Sequence, residues 1–189
     1  MVQETRGELY LSFAGIWQRP RREIADHLEE IIELWSEEIE IPPETVAVLS
    51  AFCQRYPAGE ERLNALWAEY IPLFETGAVE APPYASVYLD KGRQVLGAET
   101  RAVQAFYAST GYGMGNDNQE LSDHLAVELE FLALLARDGE ETSGETFRQK
   151  HLLPFLQAIL PRIKGSRRPV YAQAAEILDN WQLKSYERG

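Results

Sequence analysis

The chain has 189 residues, with 30 Asp and Glu against 18 Lys and Arg, for a formal net charge of −12. That balance excludes a dedicated nucleic-acid binder, which needs a basic footprint to neutralise phosphates. With 45% hydrophobic and 11% aromatic residues, the chain has the material for a packed core. This excludes disorder and suits one domain or two small ones.

In chain order, apolar residues recur at steps of three and four, and the fold class expected is all-α, with about eight helices in two lobes. The first helix runs from about Gly7 to Trp17 and carries the stripe Leu9, Phe13, Ile16, Trp17. Pro20 opens a second with Ile24, Leu28, Ile31, Ile32 and Trp35 on one side and acids on the other, and Ile41-Pro42-Pro43 ends it. A third covers Glu44 to Arg55, and after Pro57-Ala58-Gly59 a fourth buries Leu63, Leu66, Trp67 and Tyr70. From Glu75 to Gly97, Gly77, Pro82, Pro83, Gly92 and Gly97 interrupt any long helix. An ordered loop packed by Tyr84, Val87, Tyr88 and Leu89 is expected there. A fifth helix spans Glu99 to Ser109.

Gly111-Tyr112-Gly113-Met114-Gly115-Asn116-Asp117-Asn118 is the most glycine-dense stretch. Gly111, Gly113 and Gly115 read as a hinge, dividing a lobe of residues 1–118, which includes the 75–97 loop, from one of residues 119–189. Beyond it, Ser122 or Asp123 caps a helix whose Leu125, Val127, Leu129, Phe131, Leu132, Leu134 and Leu135 are apolar nearly all round, the mark of a central helix. It stops at Arg137-Asp138-Gly139. A seventh helix, Gly144 to Ile159, contains Pro154 and is expected to kink, and the last covers Val170 to Trp181.

Charge is unevenly placed. Residues 1–145 hold 27 acids and 10 bases, whereas residues 146–189 hold 3 acids and 8 bases. Nine acids and no Lys or Arg lie between Glu23 and Glu44, which reads as a solvated helix face or as an attraction for a cationic peptide. The single Cys53 excludes an intramolecular disulfide, fits a reducing compartment and sits in an apolar stretch as a buried thiol. No basic and apolar leader opens the chain, and no run reaches the roughly 18 apolar residues of a membrane span, so a soluble cytoplasmic protein is expected.

Catalytic motifs are missing: there is no G-x-S-x-G, no H-E-x-x-H and no Walker loop. His27, His124 and His151 lack the Glu-x-x-His spacing of a helical metal centre, so neither metal nor cofactor is expected. Gly111-x-Gly113-x-Gly115 follows a helix rather than a strand and lacks the phosphate-binding lysine, so the hinge reading prevails over a nucleotide site. Ser166-Arg167-Arg168 has the look of a twin-arginine export element but lies near the C-terminus with no apolar run after it. Glu23-Ile24-Ala25-Asp26-His27-Leu28 and Glu120-Leu121-Ser122-Asp123-His124-Leu125 repeat one pattern, so the string alone defines no site.

Four blocks in order resemble the TorD/DmsD/NarJ family of redox-enzyme maturation chaperones. They are Tyr70-Ile71-Pro72-Leu73-Phe74, the stretch Pro82-Pro83-Tyr84-Ala85-Ser86-Val87-Tyr88-Leu89-Asp90, the helix start from Glu120 through Asp123-His124 to Leu132, and His151-Leu152-Leu153-Pro154-Phe155-Leu156. Leu121-Ser122 departs from the family, many members of which have a proline just before Asp-His. The resemblance implies a non-enzymatic cytoplasmic chaperone. Its partners would be the twin-arginine signal peptide and apo form of a molybdenum-containing reductase, retained until the cofactor is in place for Tat export.

Carried over by position, the peptide-binding residues are Tyr70, Leu73, Phe74, Pro83, Tyr84, Ser86, Tyr88, Asp123 and His124. A receptor for two guanidinium groups and an apolar helix needs carboxylates beside an apolar groove, with Asp123 as acceptor, His124 holding it, and aromatic side chains as anchors. Two other readings stand beside this one: a nucleotide-binding (GTP) assembly switch at the glycine loop, and a scaffold that holds the folded reductase independently of its signal peptide. The hinge also permits a domain-swapped homodimer.

Overall fold

The computed structural model of the chain describes residues 2–76, 78–115 and 120–184. Gly77, residues 116–118 of the glycine-dense stretch and the expected lobe boundary at 118/119 lie outside the described residues. The fold is all-α. The helices are α1 (Val2–Trp17), α2 (Arg22–Asp26), α3 (Leu28–Glu38), α4 (Pro43–Arg55), α5 (Glu60–Phe74), α6 (Ser86–Leu89), α7 (Ala98–Ser109), α8 (Leu125–Arg137), α9 (Glu141–Phe147), α10 (Leu153–Lys164) and α11 (Pro169–Lys184).

Three departures from the expected helices have local causes. The second helix divides at His27, whose backbone turns to φ −100° and ψ 13° between α2 and α3. The 75–97 loop contains one helical turn, α6. The seventh helix extends over α9 and α10 through a π-helical turn at Arg148–Leu152, just ahead of Pro154. Proline has no N–H to donate and its ring crowds the carbonyl four residues back, so a wider turn there keeps the helix going without a break.

The backbone groups into two compact units that interleave in sequence: residues 1–17 with 83–159, and residues 18–82 with 160–189. This is not the serial division expected at the glycine-rich stretch. In the first unit α1 lies along α8. Leu9, Phe13, Ile16 and Trp17, the predicted stripe, are buried, as are Leu125, Leu129, Leu132 and Leu135 of α8. Gly7 faces α8, where a Cβ would make ordinary contact with the Ala133 carbonyl oxygen at 3.6 Å. The rings of Phe131 on α8, Tyr107 and Phe147 cluster with centroids 4.2–5.6 Å apart, in tilted and edge-on arrangements. Aromatic pairs of this kind add to the burial of the rings themselves.

In the second unit α11 packs on α4 and α5, α2 on α5, and α3 on α4. Trp35, Leu49, Leu66 and Leu178 are buried there, as is Cys53, whose thiol burial pushes up in pKa. Arg62 is 1% exposed. Its guanidinium donates to the carbonyls of Tyr56 (2.9 Å), Ala25 (3.2 Å) and Cys53 (3.2 Å), and Glu29 lies 3.3 Å away. One planar fork thereby serves carbonyl groups at the C-terminal ends of α2 and α4, where helical N–H partners run out.

Glu69 does the complementary task at a helix start. Pro169 opens α11, and the Val170 N–H donates to Glu69 Oε2 (3.0 Å). Burial pushes the Glu69 carboxyl up to about 7, against the pull of the Val170 and Tyr171 N–H groups and Arg168. A folded-state value above the unfolded one means the folded chain holds a proton more tightly, so this contribution is complete below about pH 4.5 and is lost as pH rises through 7. Glu69→Gln keeps the acceptor and removes the titration. Thermal unfolding of wild type and variant from pH 4 to pH 8 should diverge, with the variant ahead at pH 8 by on the order of 3 kcal/mol. Parallel profiles would refute the assignment.

Candidate functional site

Two extended stretches of the first unit meet side by side. Pro82 and Pro83 disfavour helix in the residues before them, so the backbone enters Tyr84 extended. There it forms an antiparallel bridge with His124. The Leu125 N–H donates to the Pro83 carbonyl (2.9 Å) and the Ala85 N–H to the Asp123 carbonyl (2.9 Å). Just beyond, the Ser86 N–H at the start of α6 donates to Asp123 Oδ2 (2.9 Å).

Side chains lock the same junction. His124 caps α8, its Nδ1 accepting the Ala126 N–H (3.1 Å), so the ring's proton resides on Nε2. The Tyr84 ring stands edge-on to the His124 ring at 5.2 Å, and its hydroxyl donates to Glu120 Oε2 (2.8 Å). Ser122 Oγ donates to the Thr100 carbonyl (2.9 Å), and the Tyr107 hydroxyl to the Ser122 carbonyl (2.9 Å). The turn that precedes α8 is thus tied both to α7 and to the 83–86 stretch.

The nine residues expected to bind peptide fall in different places. Tyr70, Leu73 and Phe74 belong to the second unit, are buried, and pack around Tyr171, with Tyr70 and Phe74 centroids 6.0 and 5.6 Å from its ring. The other six gather in the first unit. Asp123 and Ser86 are 0% exposed and His124 1%, and Pro83 is buried, while Tyr84 and Tyr88 are half-buried. Asp123 therefore does not present its carboxylate to an approaching arginine: it is enclosed and bonded to the Ser86 N–H. Leu89, expected to pack the loop, is 36% exposed, whereas the Tyr88 ring lies 5.8 Å from Phe155. The repeated Asp-His string has opposite environments, since His27 is exposed beside Glu30 (3.0 Å) and Asp26 pairs with Arg22 (2.8 Å). Of the glycines read as a hinge, Gly111, Gly113 and Gly115 all have open space on the Cβ side, with Gly111 at φ 84°, and Tyr112 between them bonds Asp138.

Behind the junction lies an acid that sequence reasoning passed over. Glu128 is fully buried and neither carboxyl oxygen has a hydrogen-bond partner among the described residues. Burial pushes its pKa well above the ordinary carboxyl range, and Asp123 and Glu99 push it further. The signal was an acid one turn after His124 on a helix apolar all round. A half-buried pair of the same unit, His151 Nδ1 and Glu99 Oε1 at 2.7 Å, was also missed, because the partners are 52 positions apart. No group of three His, Cys, Asp or Glu side chains among the described residues is placed to hold a metal, and no described helix is long and apolar enough to cross a membrane.

Asp123→Ala leaves the buried Ser86 N–H without its acceptor, and urea unfolding should show a loss of about 1–3 kcal/mol. Asp123→Asn, which retains an acceptor oxygen, should recover most of it. Hydrogen exchange at the Ser86 amide gives the local readout: unchanged protection in the alanine variant would contradict a structural role for this carboxylate.

Comparison with known proteins assigns the chain. Residues 21–160, about three quarters of its length, match the family described as nitrate reductase delta subunit. A selenate reductase assembly chaperone protein of Thauera selenatis is 31% identical over 129 residues, covering 61% of this chain and 65% of that protein. The Tat proofreading chaperone DmsD of Salmonella typhi is 25% identical over 155 residues, covering 79% and 74%. The match to the first of these relatives thus spans slightly under two thirds of that protein's own length. Among solved structures, a protein assigned to redox enzyme maturation from Archaeoglobus fulgidus aligns with a TM-score of 0.59 and 25% identity, covering 97% of this chain and 94% of that one. With its all-helical architecture and its four motif blocks inside the matched span, the chain belongs to the nitrate reductase delta subunit family.

Proposed function

We propose that this chain is a cytoplasmic chaperone that binds the twin-arginine signal peptide of a molybdenum-containing reductase and retains the apo-protein until its cofactor is in place for Tat export. The observation that carries the reading is the family match over residues 21–160, which takes in the blocks at 70–74, 82–90, 120–132 and 151–156. The names of two relatives, one for selenate reductase assembly and one for Tat proofreading, point the same way.

Within the first unit, Tyr84 and Tyr88 are the members of the carried-over set with accessible surface, and they are the side chains that would meet the client. Pro83, Ser86, Asp123 and His124 act one step behind them by fixing the turn that presents those rings. Tyrosine suits the task, since it offers a large rigid face and a polar tip at low entropy cost. Opening at Gly111, Gly113 and Gly115, inside the first unit, would let two copies exchange the segments on either side of that stretch as a swapped homodimer.

The test is titration calorimetry with a synthetic peptide carrying two adjacent arginines followed by a leucine- and alanine-rich segment. Saturable binding is expected, and the −12 charge of the chain predicts several-fold weaker binding when salt rises from about 50 to 500 mM. Equal affinity for a peptide with both arginines replaced by alanine would overturn the reading.

A further inference from the structure

Two of the nine acids from Glu23 to Glu44, Glu29 and Glu33, line a groove. Residues 29, 32, 33 and 36 share one side of α3, and residues 46, 50, 53 and 54 share one side of α4, by helical spacing. Together they enclose a groove of about 450 Å³ within the second unit, a volume in the range of ligand pockets. Ile32, Val46 and Cys53 supply its apolar wall, and Ser50 is small enough to leave it open. Glu29 and Glu33, one turn apart on α3, stand at its edge, with side chains that reach solvent.

The two carboxylates are not equivalent. Glu29 leans on the buried guanidinium of Arg62 at 3.3 Å, so its charge is partly answered from below. Glu33 has no ion pair among the described residues. No Lys or Arg lies between Glu23 and Glu44, so nothing on α3 itself offsets the negative field at the groove.

We infer that this groove between α3 and α4 receives the arginine-bearing part of the signal peptide, with a guanidinium at Glu33 and the adjoining aliphatic stem or apolar residue against Ile32 and Val46. The inference rests on the peptide-binding reading above and concerns the cationic part of that peptide alone. Charge complementarity argues for it: the ligand carries two guanidiniums and then an apolar segment, and the groove combines an unpaired carboxylate with an apolar wall. Asp123 also has a carboxylate oxygen with no hydrogen-bond partner among the described residues, but it is enclosed, whereas Glu33 is open to solvent. A second groove of about 450 Å³, between α1 and α8, is lined by Glu4, Glu8, Leu11 and Ala133 and also by Arg137, which pairs with Asp138, whereas among the described contacts the only cation against the first groove is the buried Arg62 beneath Glu29.

Fluorescence anisotropy with the two-arginine peptide, labelled, separates the cases. Glu33→Lys and Ser50→Trp, which fills the groove, should each weaken binding by tenfold or more, while Glu8→Lys, with the same change in net charge at the other groove, should change it less than twofold. Glu33 is exposed, so unchanged thermal unfolding of Glu33→Lys certifies the fold. Wild-type affinity in both Glu33→Lys and Ser50→Trp overturns the inference and leaves the chaperone reading standing. A loss seen in Glu8→Lys alone moves the peptide to the α1–α8 groove and equally overturns it. Absence of binding by the wild-type chain overturns the chaperone reading, and the inference with it.

Discussion

Three backbone donors, from Ala85, Ser86 and Leu125, close the junction between the 83–86 stretch and the turn before α8. Two of the blocks that the family resemblance highlights, at 82–90 and 120–132, meet at that junction. Two prolines set the entering backbone, one buried carboxylate receives an N–H across it, and His124 ends the turn by capping the helix that forms the centre of the unit. A short antiparallel contact in an all-helical protein is costly to leave unfinished, since buried N–H groups away from a helix need partners supplied individually. Asp123 and His124 are adjacent because one satisfies the incoming stretch and the other satisfies the outgoing helix.

Much of the fold was legible in the sequence because helical periodicity is a local signal. The stripe Leu9, Phe13, Ile16, Trp17 and the all-apolar α8 are buried as their spacing demanded. Unit membership was not legible in the same way, because α1 finds its partner in α8 more than a hundred positions later, and no composition shift marks that pairing. The glycine-dense stretch drew attention as a divider, yet the compact units interleave across it. The π turn was foreshadowed by Pro154 only as a disturbance. Proline dictates that the carbonyl of Lys150 loses its helical partner, and not whether the chain breaks, kinks or widens.

The candidate site was legible as a set of residues and illegible as a set of roles. Asp and His at a helix start read equally well as a cap, a ligand or a contact, and burial decides among these; burial depends on what the rest of the chain brings to the spot. Asp26-His27 and Asp123-His124 make the point within one molecule, the first facing solvent and the second enclosed. Glu128 shows the converse. An acid in an apolar helix is visible in the sequence, but only the structure reveals that neither carboxyl oxygen finds a partner among the described residues and that burial pushes its pKa up.

Arg62 carries a consequence for how this chain tolerates drift. Its guanidinium reaches three carbonyls and Glu29 from a single plane, in directions fixed by the geometry of the fork. A lysine at that position keeps the charge but offers one nitrogen, so it cannot span the ends of α2 and α4 at once. The substitution most readily accepted on a protein surface would here leave carbonyls buried without donors and a carboxylate less firmly anchored. Position 62 therefore leaves little room for variation, although it lies outside every motif block.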